Sequence, residues 1–216
     1  MNTTARSLDQ RHQRRIKKVT PKARFKSLTP QDQYTVTARA LSALGDEARK
    51  KMPYNKSKLF HSYHITIGSI ASGHTSIDPS SGLLTNGSIK KIKRAVATAA
   101  KLAIGKDAIF MFSIEQQDKN GNPCEPHIHM LANLYTVPDI SKLRSKFYRI
   151  AGKIERNTVK FQRTTSLKKS NETSKGEAAA RRVALYGVKN ADSRTYRTSA
   201  LMKHVHGVFE DIKLIS

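Results

Sequence analysis

The order in which hydrophobic residues change their period constrains this chain more than any other feature. Leu59 to Ile67 is rich in aromatic and β-branched residues and reads as a strand. Ile89, Ile92, Val96, Ala99 and Ala103 then recur at helical spacing, with Ser88 as the cap and Gly105 as the stop. Ala108 to Gln116 reads as a second strand and Pro126 to Leu134 as a third. Asp118-Lys119-Asn120-Gly121 is the turn that makes them a hairpin. Asp139 caps a helix striped by Ile140, Leu143, Phe147 and Ile150 and closed by Gly152. Thr158 to Gln162 is a short fourth strand. Strand, helix, strand, strand, helix, strand is the split βαβ order.

That order predicts an α+β fold of ferredoxin-like or RRM-like type. Four antiparallel strands carry two helices on one face. The other face stays free for a site and for a last helix, which opens with capping-box spacing at Ser174 and Glu177 and continues through Ala178, Val183 and Tyr186. Upstream, residues 1 to 28 form a basic arm without an apolar stripe. It includes Arg14, Arg15, Lys17 and Lys18, and reads as disordered when free. A helix follows from Thr29 and Pro30, buries Val36, Ala40, Leu41 and Leu44, and ends at Gly45. Pro53 and Asn55 mark a joint. The organisation expected is a basic arm and helix over 1–55 and a folded domain over 56–216. Residues 68 to 87 form a loop long enough to be functional or to make its own small hairpin.

Charge narrows the partners. Forty Lys and Arg oppose sixteen Asp and Glu, a formal net charge of +24 in 216 residues. Self-repulsion of that size is relieved by a polyanion, most commonly nucleic acid. On charge alone, a basic RNA- or DNA-binding protein without chemistry is the simpler reading. Cys124 is the single cysteine, so no intrachain disulfide forms, which fits a reducing compartment. No apolar run approaches the ~20 residues that span a bilayer, and the N-terminus lacks the apolar core of a secretory signal. A cytoplasmic protein with no membrane partner is expected.

Alternate residues of a strand point the same way, so His127 and His129 project from one face about 6 to 7 Å apart. Glu115, just before the turn, is brought beside them by the hairpin. Two histidines and a carboxylate form a facial set that leaves positions open for water or substrate. A lone His-x-His pair is a weak signal, more often two half-exposed histidines on a sheet. The position of Glu115 in the same hairpin is what raises the metal reading. Cys124 is the alternative third ligand, and reads better as a turn residue. No His-Glu-x-x-His helix is present. His204 and His206 lack such an acid and read as structural or DNA-contacting. Tyr186 and Lys189 share a helix face one turn beyond Arg181 and Arg182. Cations favour a phenolate, a competent nucleophile towards phosphorus. Taken alone, a core tyrosine with a lysine at its rim is the better explanation of the pair.

Taken together, these motifs resemble the HUH endonuclease superfamily, in particular the rolling-circle replication initiators with a single catalytic tyrosine. Glu115, the turn and Pro126-His127-Ile128-His129 resemble the metal motif. Tyr186-Gly187-Val188-Lys189 resembles the Tyr-x-x-Lys nucleophile motif, and Tyr63-His64-Ile65-Thr66-Ile67 a less specific first motif. The resemblance covers about residues 58 to 190. It implies a metal-dependent nickase in which Glu115, His127 and His129 hold Mn²⁺ or Mg²⁺. Tyr186 takes the 5′ phosphate, Lys189 steadies phenolate or phosphate, and the free 3′ hydroxyl primes synthesis. The implied partner is single-stranded or hairpin origin DNA, gripped by Lys90, Lys91, Arg94, Arg181, Arg182 and the arm. No Gly-x-x-x-x-Gly-Lys-Ser/Thr motif is present, so helicase and polymerase are expected to be separate proteins. The implied setting is a plasmid or phage in a prokaryotic host. A transposase or relaxase of the same fold uses the same residues. A non-catalytic nucleic-acid-binding protein is the rival of another class, and RNA-binding modules share the sheet.

Overall fold

A computed structural model describes residues 20–118, 120–152, 158–163 and 195–208. Its α+β architecture has six helices: α1 (Pro21–Ser27), α2 (Pro30–Lys50), α3 (Tyr54–Ser57), α4 (Asn86–Ile104), α5 (Thr136–Tyr148) and α6 (Ser199–Val208). The strands are β1 (Phe60–Ile67), β2 (Phe110–Gln117), β3 (Pro123–Tyr135), β4 (Val159–Arg163) and β5 (Thr195–Arg197). They form one antiparallel sheet in the order β4-β1-β3-β2-β5. The first four strands stand as the split βαβ order requires. β5 extends the sheet by pairing with β2, a strand too short to signal itself in the sequence.

One face of the sheet carries the main core. Ile65, Ile67, Phe112, Ile114, Ile128 and Met130 pack there against Ile92 and Val96 of α4 and Leu143 and Phe147 of α5. The expected stripes of both helices are the ones buried. The starts of both helices move. α4 is capped by Thr85, whose Oγ1 accepts the Ser88 N–H at 3.2 Å. Ser88 is instead buried, accepting from the Ser76 N–H at 2.6 Å and donating to the Ser76 carbonyl, which ties the loop to the helix. Ile77 and Leu84 bridge to make that loop a small hairpin. α5 begins at Thr136, so Asp139 lies inside its first turn and accepts from the Tyr135 N–H at 2.9 Å.

The second face is less open than the sequence suggests. Phe25 of α1, Tyr34, Val36 and Leu41 of α2 and Leu201 and Val205 of α6 build a second core over Met111 and Leu131. Residues 21–27 of the supposed arm are therefore helical, held by the apolar anchor Phe25 and by the Thr20 cap. α2 does not end at Gly45 but runs to Lys50. The reason is contact rather than termination. A Cβ at Gly45 would stand 2.8 Å from Asn133 Oδ1. Asn133 is held from both ends, since Oδ1 accepts from Ser62 Oγ at 2.6 Å and Nδ2 donates to the Leu41 carbonyl at 2.9 Å.

In an ordinary helix, Gly→Ala stabilises by about 1 kcal/mol. At Gly45 the sign reverses, because Asn133 cannot give way without breaking one of those bonds. Gly45→Ala is expected to destabilise by roughly 1–3 kcal/mol, lowering the midpoint of a thermal melt. A midpoint at or above that of the parent protein would refute the close approach.

Candidate metal centre

Strand register builds the site. Glu115 of β2 stands directly opposite His127 of β3, and Ser113 opposite His129. The main-core residues Ile114 and Ile128 alternate with them, so Glu115, His127 and His129 share the second face. The turn holds the register. The Asp118 carboxylate accepts from the N–H groups of Asn120 and Asn122 at 2.8 and 2.9 Å, and Gly121 takes φ 86°, a conformation that favours glycine. The ladder shifts between Glu115 and Gln117, a bulge next to the site.

The three side chains converge. Glu115 Oε2 lies 3.3 Å from His127 Nε2 and 3.0 Å from His129 Nε2. One ligand atom from each residue falls within 4.8 Å of the others. Adjacent corners of an octahedron with ligands at about 2.1 Å are roughly 3.0 Å apart, so these spacings suit three ligands on one face of a divalent ion. Glu115 and His129 are buried, while the His127 side chain keeps 26 % of its surface, so the centre has one open side.

The protonation pattern tests whether a cation fits. His127 Nδ1 is 3.0 Å from the Glu125 carbonyl, which can only accept, so Nδ1 carries the hydrogen. In the neutral ring, Nε2 then aims a lone pair at a carboxylate oxygen. Two acceptors face each other unless a proton or a metal ion lies between them. Without metal the proton takes that place. The hydrogen bond to Glu115 raises the His127 pKa against the opposing effect of burial. Burial pushes Glu115 upward, but hydrogen bonds from His127 and His129 outweigh it and bring its carboxyl to about 2. The donor set fits a divalent cation.

His64 of β1 belongs to the site and was legible only as part of a weak motif. Its ring stacks on His129 with centroids 5.2 Å apart, and its Nε2 lies 3.1 Å from His129 Nδ1. If His129 offers Nε2 to an ion, its Nδ1–H donates to His64 Nε2, and that bond fixes the tautomer and the ring plane. Burial, then the neighbouring His129, lower the His64 pKa to about 4, so it stays a neutral acceptor.

Other expected residues lie elsewhere. Lys90, Lys91 and Arg94 are exposed on α4, across the sheet from the centre. Cys124 is on β3 and outside the ligand cluster. His206 meets Phe25 edge-on at 5.8 Å, a packing role. Tyr196 is on strand β5 and stacks on Phe112 at 5.0 Å. Tyr186, Lys189, Arg181, Arg182, Arg14, Arg15, Lys17 and Lys18 lie outside the described residues. No protein-family model matches the chain, and no curated protein matches it. No helix among the described residues is long and apolar enough to cross a membrane.

Glu115→Ala or His129→Ala is expected to abolish Mn²⁺ binding in calorimetry. His64→Ala should weaken it roughly 10- to 100-fold, with His64→Gln, which still offers an acceptor, recovering part of the loss. Unchanged affinity in His64→Ala would remove His64 from the site. Because His127 must shed a proton of raised pKa, affinity should begin to fall at a higher pH than for an ordinary imidazole ligand, with proton release detectable by comparing buffers.

Proposed function

We infer that this protein is a metal-dependent endonuclease that nicks and rejoins single-stranded DNA through a tyrosine, in the manner of rolling-circle replication initiators. The observation that carries the reading is the convergence of Glu115, His127 and His129 on a half-open face of an otherwise cationic protein. Mn²⁺ matches two imidazoles and a carboxylate better than Mg²⁺ does, though abundance favours Mg²⁺. Such an ion would supply Lewis-acid stabilisation of charge on a bound phosphate.

The chain's own residues carry the remaining roles. Glu115 and His129, buried, hold the site rigid, and His127 lies at its open rim. The Tyr186 phenolate oxygen attacks phosphorus, forming the Tyr186 O–P bond as the P–O3′ bond breaks. The electron pair leaves on the 3′ oxygen, which takes a proton. Lys189 steadies the phenolate. The phosphotyrosine keeps the energy of the broken bond, so rejoining needs no nucleotide cofactor. The assignment of Tyr186 and Lys189 rests on the Tyr-x-x-Lys resemblance. A transposase or relaxase would share these steps and differ in the DNA joined.

The decisive test is a denaturing gel of protein with labelled single-stranded DNA, run with Mn²⁺, with chelator, and with the variants Tyr186→Phe and His129→Ala. A protein–DNA adduct that survives denaturation, requires metal and is lost in both variants is expected. Cutting that persists in Tyr186→Phe would move the nucleophile elsewhere. Salt-sensitive binding with no cutting under any condition would leave a basic nucleic-acid-binding protein.

A further inference from the structure

The helical layer presents a cationic surface on the far side of the sheet from the candidate metal centre. Two grooves flank α4. One, of about 630 Å³, lies between α4 and the edge of the sheet at β5, with Lys90, Arg94, Lys101 and Tyr196 among its lining. The other, of about 550 Å³, lies between α4 and α5 and is lined by Lys91, Arg94, Lys146 and Arg149. Arg94 and Thr98 belong to both, so the two grooves adjoin along one helix. No carboxylate lines either groove among the described residues, and α4 itself contains no acidic residue. Lys90, Lys91, Arg94, Lys101 and Arg149 are all exposed.

A solvated helix face in a globular protein normally intersperses both signs, because like charges on adjacent turns repel. This face does the opposite and concentrates one sign in two concave strips, where a counter-ion is held best. Lys90 to Lys101 covers about 16 Å of helix axis, the length of four to five base-pair steps at ~3.4 Å each. The chemistry favours double-stranded over single-stranded nucleic acid. Single strands are gripped by exposed aromatic rings on which bases stack. Here the rings lining the grooves, Tyr196 and His74, are both half-buried, and Tyr196 is already stacked on Phe110 and Phe112 at 5.9 and 5.0 Å. What remains is cations for phosphates, which position a duplex without reading its sequence.

We propose that the outer face of α4 and α5 is a second nucleic-acid site that binds the phosphate backbone of a DNA duplex, opposite the face that would hold the cleaved strand. The proposal rests on the nucleic-acid reading above only for the choice of polyanion. Its arrangement suits a hairpin or a duplex–single-strand junction whose paired stem lies on the helices.

The test is fluorescence anisotropy of a labelled duplex and of an equally long single strand in chelator, across a salt series. The triple variant Lys91→Glu, Arg94→Glu, Arg149→Glu is compared with a control of equal charge change outside both grooves, Lys50→Glu, Lys51→Glu, Lys56→Glu. The groove variant should lose duplex affinity roughly tenfold or more. Its slope of log affinity against log salt should flatten by about one unit per contact removed, and its single-strand affinity should be affected less. Unchanged duplex affinity would overturn the proposal, as would an equal loss in the control or an equal loss for the single strand. Alanine at the same three groove positions serves if the reversal unfolds the chain. Since no cutting is needed in chelator, the outcome is independent of whether the metal centre is catalytic.

Discussion

The site depends on one register, the alignment of β2 with β3 that sets Glu115 opposite His127. Strand side chains alternate with period two, so a slip by one residue would send Glu115 into the main core and Ile114 onto the second face. Burying a carboxylate among Ile65, Phe112 and Met130 would cost several kcal/mol, which makes the slip prohibitive. The same hydrophobic alternation that packs α4 and α5 therefore also positions the ligands. The Asp118–Asn122 turn fixes the pairing locally, and the bulge after Glu115 confines the irregularity to the end of the ladder, beyond the ligand pair.

Register alone gives three polar side chains on a face; hydrogen bonding turns them into a ligand set. The Glu125 carbonyl dictates which nitrogen of His127 carries its hydrogen, and His64 can do the same for His129. Both rings can then offer Nε2 towards Glu115. Hydrogen bonds from His127 and His129 outweigh burial and hold the Glu115 carboxyl far below its usual range, while the bond to Glu115 raises the His127 imidazole. A divalent ion could take the place between these acceptors, with one ligand atom from each of the three residues.

The sequence revealed what is periodic or local. Strand alternation, both core helix stripes, the Asp118 turn and the Glu115, His127, His129 cluster are patterns within one or two neighbouring elements, and each is found in the structure. What it hid is tertiary. Thr85 and Ser88 are equally good caps by type; the choice was made by Ser76, which needs the Ser88 hydroxyl. Gly45 looks like a helix stop but is a notch for Asn133, a residue far away in sequence. β5 has only three residues and exists because the β2 edge is available. His64 reaches His129 across a strand pair, so no spacing in the sequence could announce it. Phe25 anchors α1 because α6 and α2 leave it a place, in a stretch that by composition reads as a solvated basic arm.

A candidate divalent-ion site in a chain of net charge +24 poses an electrostatic question that the two-sided layout helps answer. Cations more than about 8 Å away through solvent are largely screened at physiological salt. Lys90, Lys91 and Arg94 lie behind both the sheet and a helix about 10 Å thick, so they oppose the ion only weakly. Near the centre, the chain supplies neutral rings and one carboxylate, not further cations, as ligands. Phosphate arriving at the open side would add negative charge where it favours the metal most. By linkage the metal would favour the phosphate equally. If the proposed function holds, the segregation of diffuse positive charge on the helices from a compact acidic ligand on the sheet would let one small domain attract a polyanion and still hold a dication.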